Sequence, residues 1–265
     1  MSRPIIHFAH ANGFPAKTYR KLFSFLESDY EINYLERHAH NPKFPVTDGW
    51  ERLRDELRET LERRYANKII GVGHSLGGVL HLLVAAEKPE LYERIILLDA
   101  PIISRFSSRS LWMMKTLKLM DRFTPSQITR YRRNSWKSKE EVFEHFKAKP
   151  KFDAFDREVL RDYAEHATIE TERGGLELFF KPSIEAKIYQ TLPHQLPKLK
   201  GKLKAPISYV GGTHSREGEL ARLSFMRKNF PIDFYAVEGS HLFPLEKPLE
   251  TARIIRKIFG QQIKN

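Results

Sequence analysis

At 265 residues and 41% apolar composition, the chain suffices for one large α/β domain, or for a core plus a lid. Its formal net charge of +12 favours anionic surfaces or anionic substrates by long-range attraction, and otherwise serves solubility. The absence of cysteine excludes disulfides and thiolate metal sites. No apolar run approaches the length of a membrane span, and Met1-Ser2-Arg3-Pro4 gives no room for a signal peptide's apolar region. A cytoplasmic protein is the simplest expectation.

Pro4 to His10 is predicted as a first strand, followed by the loop Ala11-Asn12-Gly13-Phe14-Pro15. Residues 16–28 have helical spacing, with Tyr19, Leu22, Phe23 and Leu26 on one face. Glu31 to Leu35 is a second short strand. After a Pro- and Asn-rich loop, Asp48 is expected to cap a long helix, with Glu51 at the capping-box position and a stripe of Trp50, Leu53, Leu57, Leu61 and Tyr65. Lys68 to Val72 is a buried strand, and Val79 to Ala86 a buried helix. Arg94 to Asp99 is apolar along its run, as a strand covered on both faces must be.

The alternation then stops. Residues 102–200 offer no strand of any length but contain amphipathic helices at Ser110–Arg122 and Asp153–His166. The stripe of Trp112, Met113, Met114 and Leu117 is read as core or as the lining of an acyl pocket. Strand–helix alternation resumes with a strand at Ile207–Val210, a helix at Arg216–Asn229, a strand at Ile232–Val237 and a helix at Leu249–Phe259. The expected fold is therefore α/β: a doubly wound, mostly parallel sheet of about six strands, with residues 1–101 and 203–265 as core and 102–202 as an inserted helical lid. That lid is strongly basic. Residues 101–150 hold twelve Lys/Arg against four acids, a local net charge of +8.

Gly73-His74-Ser75-Leu76-Gly77 lies between the buried strand and the buried helix. This strand–turn–helix setting makes Gly-x-Ser-x-Gly a nucleophile elbow, with Ser75 Oγ standing above the sheet. A serine hydroxyl needs a base, a group to orient that base, and donors for the oxyanion. His241, in the loop after the last strand, occupies the position the base requires. For the oxyanion donors, the N–H of Leu76 follows the nucleophile, and the loop after the first strand supplies a second, Asn12 first and Ala11 after it. The orienting acid is harder to place. The loop Gly211 to Glu217 contains no aspartate, so Asp99 at the end of the fourth strand is the first candidate, with Glu217 the alternative.

Together these residues resemble the α/β-hydrolase superfamily over nearly the whole chain. His10-Ala11-Asn12-Gly13-Phe14-Pro15 is similar to its His-Gly oxyanion loop, with Ala11 in place of glycine, and Gly239 to Pro248 is similar to its histidine loop. The resemblance implies Ser75 as nucleophile, His241 as base, and Asn12 and Leu76 as oxyanion donors. A strand-end acid at Asp99 is a variant the superfamily contains. The expected activity is that of a cofactor-free serine hydrolase acting on a small-molecule ester or related acyl substrate, neutral or anionic. The alternative is a protein of the same fold without hydrolase activity that binds an anionic partner through the basic lid; nucleic acid is a weaker candidate for that partner. No metal is expected, since the one close histidine pair, His38 and His40, lies in a loop without nearby carboxylates. The sequence leaves the oligomeric state open.

Overall fold

The computed structural model describes residues 3–172 and 174–260. Met1 and Ser2, on which part of the leader reading falls, and the last five residues of the expected core, 261–265, lie outside the described residues. Six strands form the main sheet: β1 (Ile5–Ala9), β2 (Glu31–Tyr34), β3 (Ile69–His74), β4 (Tyr92–Leu98), then β8 (Ile207–Gly212) and β9 (Ile232–Val237). Their order is β2-β1-β3-β4-β8-β9, and every pairing is parallel. The winding changes direction between β1 and β3. Loops leaving the carboxyl ends of these two strands therefore splay apart and open a crevice, the usual ligand site of such sheets.

Strand alternation divides the sheet into two apolar faces. Ile96, Leu98, Val72 and Phe8 pack with Leu22, Phe23, Ala252 and Ile255 of the helices Arg20–Ser24 and Pro248–Ile258. Ile95, Leu97 and Ile69 pack on the other side with Leu53, Leu57, Leu80 and Met226 of the helices Glu51–Arg64, Leu76–Ala85 and Leu223–Asn229. β3 is buried at all six positions, which is why it carries no polar alternation.

The segment between β4 and β8 is mainly helical, as expected, but it also contains a small antiparallel sheet. β5 (Ser135–Trp136), β6 (Thr168–Glu170) and β7 (Leu176–Leu178) are ordered β5-β7-β6. Strands of two or three residues leave no legible alternation. The segment does not keep a core of its own, for Trp136, Phe143, Phe146, Phe152 and Tyr163 join the same cluster as Phe8 and Phe14.

Several boundaries differ from expectation for local reasons. Regular helix in 16–28 is confined to Arg20–Ser24, because the chain tightens into three-residue turns at Leu26 N–H to Phe23 O (2.8 Å) and Asp29 N–H to Leu26 O (3.0 Å). Asp48 does not cap the long helix. Gly49 and Trp50 are both left-handed (φ 68° and 61°), the helix starts at Glu51, and the Asp48 carboxylate pairs with Lys115. The expected helix Ser110–Arg122 becomes Arg105–Thr116 and Met120–Phe123, separated at the left-handed Lys118 (φ 57°). Asp156 is the N-cap that starts the helix at Arg157 instead of at 153, accepting from the Glu158 and Val159 N–H groups. Arg222 (φ 54°) splits the helix expected over 216–229 into Arg216–Ala221 and Leu223–Asn229. Trp112, Met113 and Leu117 line neither core nor an internal pocket. They are 56%, 53% and 58% exposed.

Candidate active site

The elbow is built by close backbone approach. Ser75 sits at φ 52°, ψ −111°, a conformation an L-residue rarely adopts, between β3 and the helix Leu76–Ala85. The strain is held from both sides: Ser75 N–H donates to Leu98 O (2.9 Å), and Val79 N–H donates to Ser75 O (3.1 Å). Gly77 passes so close to β1 that a Cβ there would stand 2.0 Å from Ala9 O, and a Cβ at Gly73 would stand 2.3 Å from Gly78 N. Ser75 is partly exposed, and its Oγ is in no hydrogen bond among the described residues.

His241 and Asp99 meet although 142 residues separate them. Nδ1 of His241 is 2.8 Å from Oδ2 of Asp99, which is fully buried at the end of β4. A carboxylate accepts only, so Nδ1 carries the proton and Nε2 is left as the bare acceptor. Oδ1 of Asp99 accepts from the Tyr209 hydroxyl at 2.6 Å. Burial, and after it the Asp99 charge, raises the Tyr209 pKa and keeps that phenol a donor. Asp99 itself is held at φ 45°, with its N–H on Val210 O (2.8 Å). Glu217, on the helix Arg216–Ala221, is half exposed and its Oε2 lies 3.8 Å from the same imidazole nitrogen. Asp99, Glu217 and His241 each offer a ligand atom, all within 4.8 Å of one another, the one cluster among the described residues that could hold a metal ion. In this structure two of those three atoms are engaged with each other.

On the opposite lip, the loop after β1 offers its amides unequally. Ala11 N–H is directed at the Tyr19 hydroxyl (3.4 Å), whereas the N–H groups of Asn12 and Leu76 are in no hydrogen bond among the described residues. The Asn12 side chain donates to Glu185 O (3.1 Å). Gly13 (φ 80°) faces the Glu185 carboxylate, where a Cβ would come within 2.6 Å of Oε1. Oε2 of Glu185 pairs with Arg132 at 2.6 Å. Burial raises the Glu185 pKa, while Arg132 and Lys151 pull it down. Although Lys151 keeps solvent contact, desolvation lowers its pKa, Glu185 pulling it back up and Arg132 adding to the fall. Its ammonium lies 5.2 Å from the Phe14 ring centroid, at the same loop, and is in no ion pair among the described residues.

Sequence reasoning missed the groups that tie these loops together. His74, next to the serine, uses both ring nitrogens: Nδ1 takes the Tyr19 O–H (2.7 Å) and Nε2–H donates to His241 O (2.9 Å). Burial, with His241 next, lowers its pKa to about 3, so the ring is neutral and this donor–acceptor pattern is fixed. Glu246 fastens the other end of the histidine loop by accepting from Ser240 N–H at 2.9 Å and from the Ser240 hydroxyl. His38 and His40 point elsewhere. His40 spans His38 O (2.8 Å) and Lys181 N–H (3.0 Å). A carboxylate does come near the pair, contrary to the sequence reading, for His38 Nδ1 is 3.6 Å from Glu56 Oε2. A surface cleft of about 470 Å³ beside Trp112 and Lys115 contains none of the candidate catalytic residues.

Over residues 8–254 the sequence matches the family described as "Alpha/beta hydrolase family". No curated protein sequence matches it. Among solved structures the fold is similar to E-2-(acetamidomethylene)succinate hydrolase, with a TM-score of 0.77 and 17% identity over 98% of this chain and 92% of that one. It is also similar to an esterase of M. tuberculosis (TM-score 0.73, 18% identity, 98% and 87% covered). A third is the enol-lactonase of Burkholderia xenovorans LB400 (TM-score 0.64, 14% identity, 98% and 93% covered). At such identities the likeness shows the fold alone. No helix among the described residues is long and apolar enough to cross a membrane.

Proposed function

The chain belongs to the α/β-hydrolase family, and from that premise we propose that it is a cofactor-free serine hydrolase cleaving a carboxylic ester or related acyl substrate. In this reading residues 102–202 form its lid, and 3–101 with 203–260 are the described part of its core. The observation that carries the reading is the Asp99–His241 hydrogen bond of 2.8 Å, in a loop that His74, next to Ser75 on its strained elbow, holds through the His241 carbonyl.

Ser75 Oγ attacks the carbonyl carbon, and His241 Nε2 takes its proton. Asp99 holds the tautomer and stabilises the imidazolium. The oxyanion accepts from Asn12 and Leu76 N–H, neither of which has another partner among the described residues. The imidazolium returns its proton to the leaving alcohol as the tetrahedral adduct collapses to an acyl-enzyme. Water, deprotonated by the same imidazole, then attacks the acyl carbon; as that adduct collapses the C–Oγ bond breaks, the imidazolium protonates Ser75 Oγ, and the acid leaves. In a structure without substrate the serine–imidazole hydrogen bond is commonly open and closes in the Michaelis complex. The neighbouring Lys151, in no ion pair among the described residues, favours substrates that carry an anionic group.

A fluorophosphonate probe should label the wild-type protein at Ser75, located by peptide mass spectrometry. Ser75→Ala should lose both labelling and p-nitrophenyl ester turnover. Turnover retained in folded Ser75→Ala would overturn the reading. A wild type inert to the probe would favour the alternative, a non-hydrolytic protein that binds an anionic partner.

A further inference from the structure

The helix Arg105–Thr116 is inside out. Its inward side carries hydroxyls and an ammonium beside the half-buried Leu111 and Met114: Ser104 caps it, Ser108 Oγ donates to His194 O, and Lys115 Nζ donates to Leu192 O at 3.0 Å. Its outward side carries Phe106, Trp112 and Met113, 70%, 56% and 53% exposed, and Leu117 follows at 58%. None of the helix is buried. A surface helix normally turns its apolar stripe toward the core. Here Phe106, Trp112, Met113 and Leu117 face solvent, and only Leu111 and Met114 turn half inward.

The exposure continues along the chain beyond the helix. Of nine large apolar side chains left exposed among the described residues, seven lie between 106 and 131, Phe123, Ile128 and Tyr131 completing the set. Scattered exposed apolar residues are ordinary, but a concentration of this size marks a surface that something covers. Cations fringe it. Arg105, Arg109, Lys118 and Arg122 are exposed, and none is in an ion pair among the described residues. Asp121 is the only acid between residues 100 and 139, and it is committed to Ser126 and Gln190.

We propose that this face docks on an anionic lipid surface. The occupant must supply apolar volume and negative charge together. A second copy of the chain docked symmetrically on this face would set the four unpaired cations against their own counterparts. A nucleic acid would answer the charge but not Met113, Leu117 and Ile128, which have no planar or polar group to offer a base. A bilayer interface takes both, embedding the apolar face at headgroup depth while Arg and Lys meet the phosphates. The patch reaches the rim of the candidate active site. The Arg222 guanidinium lies 5.9 Å from the Phe106 ring, and the preceding helix exposes Leu220 (78%) and carries Glu217. Docking does not depend on the hydrolase reading, and its test needs no turnover.

The test is co-sedimentation of the whole chain with phosphatidylcholine vesicles made with and without phosphatidylglycerol. Trp112 gives an internal readout, since Trp50 and Trp136 are only 4% and 2% exposed. The protein should bind only the anionic vesicles, with a blue shift of tryptophan emission, and release as salt rises. Trp112→Ser/Met113→Ser and, separately, Arg105→Gln/Arg109→Gln should each weaken binding about tenfold or more with unchanged thermal unfolding, the sites being exposed. Three results overturn the proposal: no binding of the wild type, binding that both variants retain, or a dimer or a DNA or RNA complex that depends on these residues in place of vesicle binding.

Discussion

The Asp99 carboxylate serves two donors, His241 Nδ1–H on one oxygen and the Tyr209 hydroxyl on the other, so both oxygens are fixed inside the protein. In Asp99→Asn the amide N–H₂ can donate to Nδ1, which moves the imidazole proton to Nε2 and leaves no base facing the serine. We expect kcat to fall by about 10⁴-fold with the fold intact. Glu217→Gln should change kcat less than about threefold, because the carboxylate is 3.8 Å away and half in solvent, where screening leaves ion pairs weak. Steady-state kinetics on one activated ester compares the two variants, and the reverse ranking would transfer the acid to Glu217. Asp99 was legible as a candidate because it ends an apolar strand next to the elbow unit. Tyr209, Tyr19 and His74 were not. Each acts through a partner 55 to 167 residues away, and nothing local distinguishes them from core aromatics or from ten other histidines.

At the scale of the element, the elbow was readable because its cause is local: a buried strand, a turn and a buried helix leave no room for side chains where they cross. That cause makes a stability prediction. Gly77→Ala places a Cβ 2.0 Å from the Ala9 carbonyl oxygen, a backbone atom that cannot rotate away, so β1 and the elbow helix must separate. We expect a loss of about 1–3 kcal/mol or more, read as a lower urea midpoint. An unchanged midpoint would mean the approach is looser than described. The helix Arg105–Thr116 shows the opposite case. Its spacing of three and four marked a helix, but the apolar positions divide, Trp112 and Leu117 facing solvent while Leu111 and Met114 turn half inward, a division that period alone does not decide. Direction was set by partners remote in sequence, Asp48, Leu192 and His194. The helix at Glu51 likewise began late because Gly49 N–H bonds Thr191 O (3.0 Å) and the Trp50 indole bonds Ile188 O (3.2 Å), two contacts no capping pattern encodes.

Across the whole molecule, the sheet buries an unusual number of neutral imidazoles. His7, His10, His74 and His81 have no solvent exposure, and burial first, neighbouring imidazoles next, lowers the pKa of each, to about 3 for His74 and His81. The unfolded chain takes up protons at these groups near pH 6.5, whereas the folded chain does not until far lower pH. Between those limits the unfolded state binds more protons, so stability is fully present above about pH 6.5 and declines as the pH falls. Each such group contributes a slope of up to about 1.4 kcal/mol per pH unit within its window. Glu185 and Asp162, whose pKa values burial raises, work against this as they protonate, but they are two groups against these four, and burial lowers the pKa of His40, His145, His166 and His194 as well. The surplus of twelve positive charges grows on acidification and adds repulsion in the same direction as the histidines. Asp156, lowered against its own desolvation chiefly by Lys21, titrates below the usual carboxylate range and leaves the interval from pH 6.5 to 4.5 to the histidines. Thermal unfolding followed by circular dichroism should therefore give a melting temperature that drops steadily from pH 7 to pH 4.5. The drop should shrink in His81→Phe, provided that variant folds, because one group that must enter the core uncharged has been removed. A melting temperature that stays level over the interval would show that these imidazoles accept protons in the folded state, and with them that the His74 bridge between elbow and histidine loop is not the neutral one drawn from the geometry.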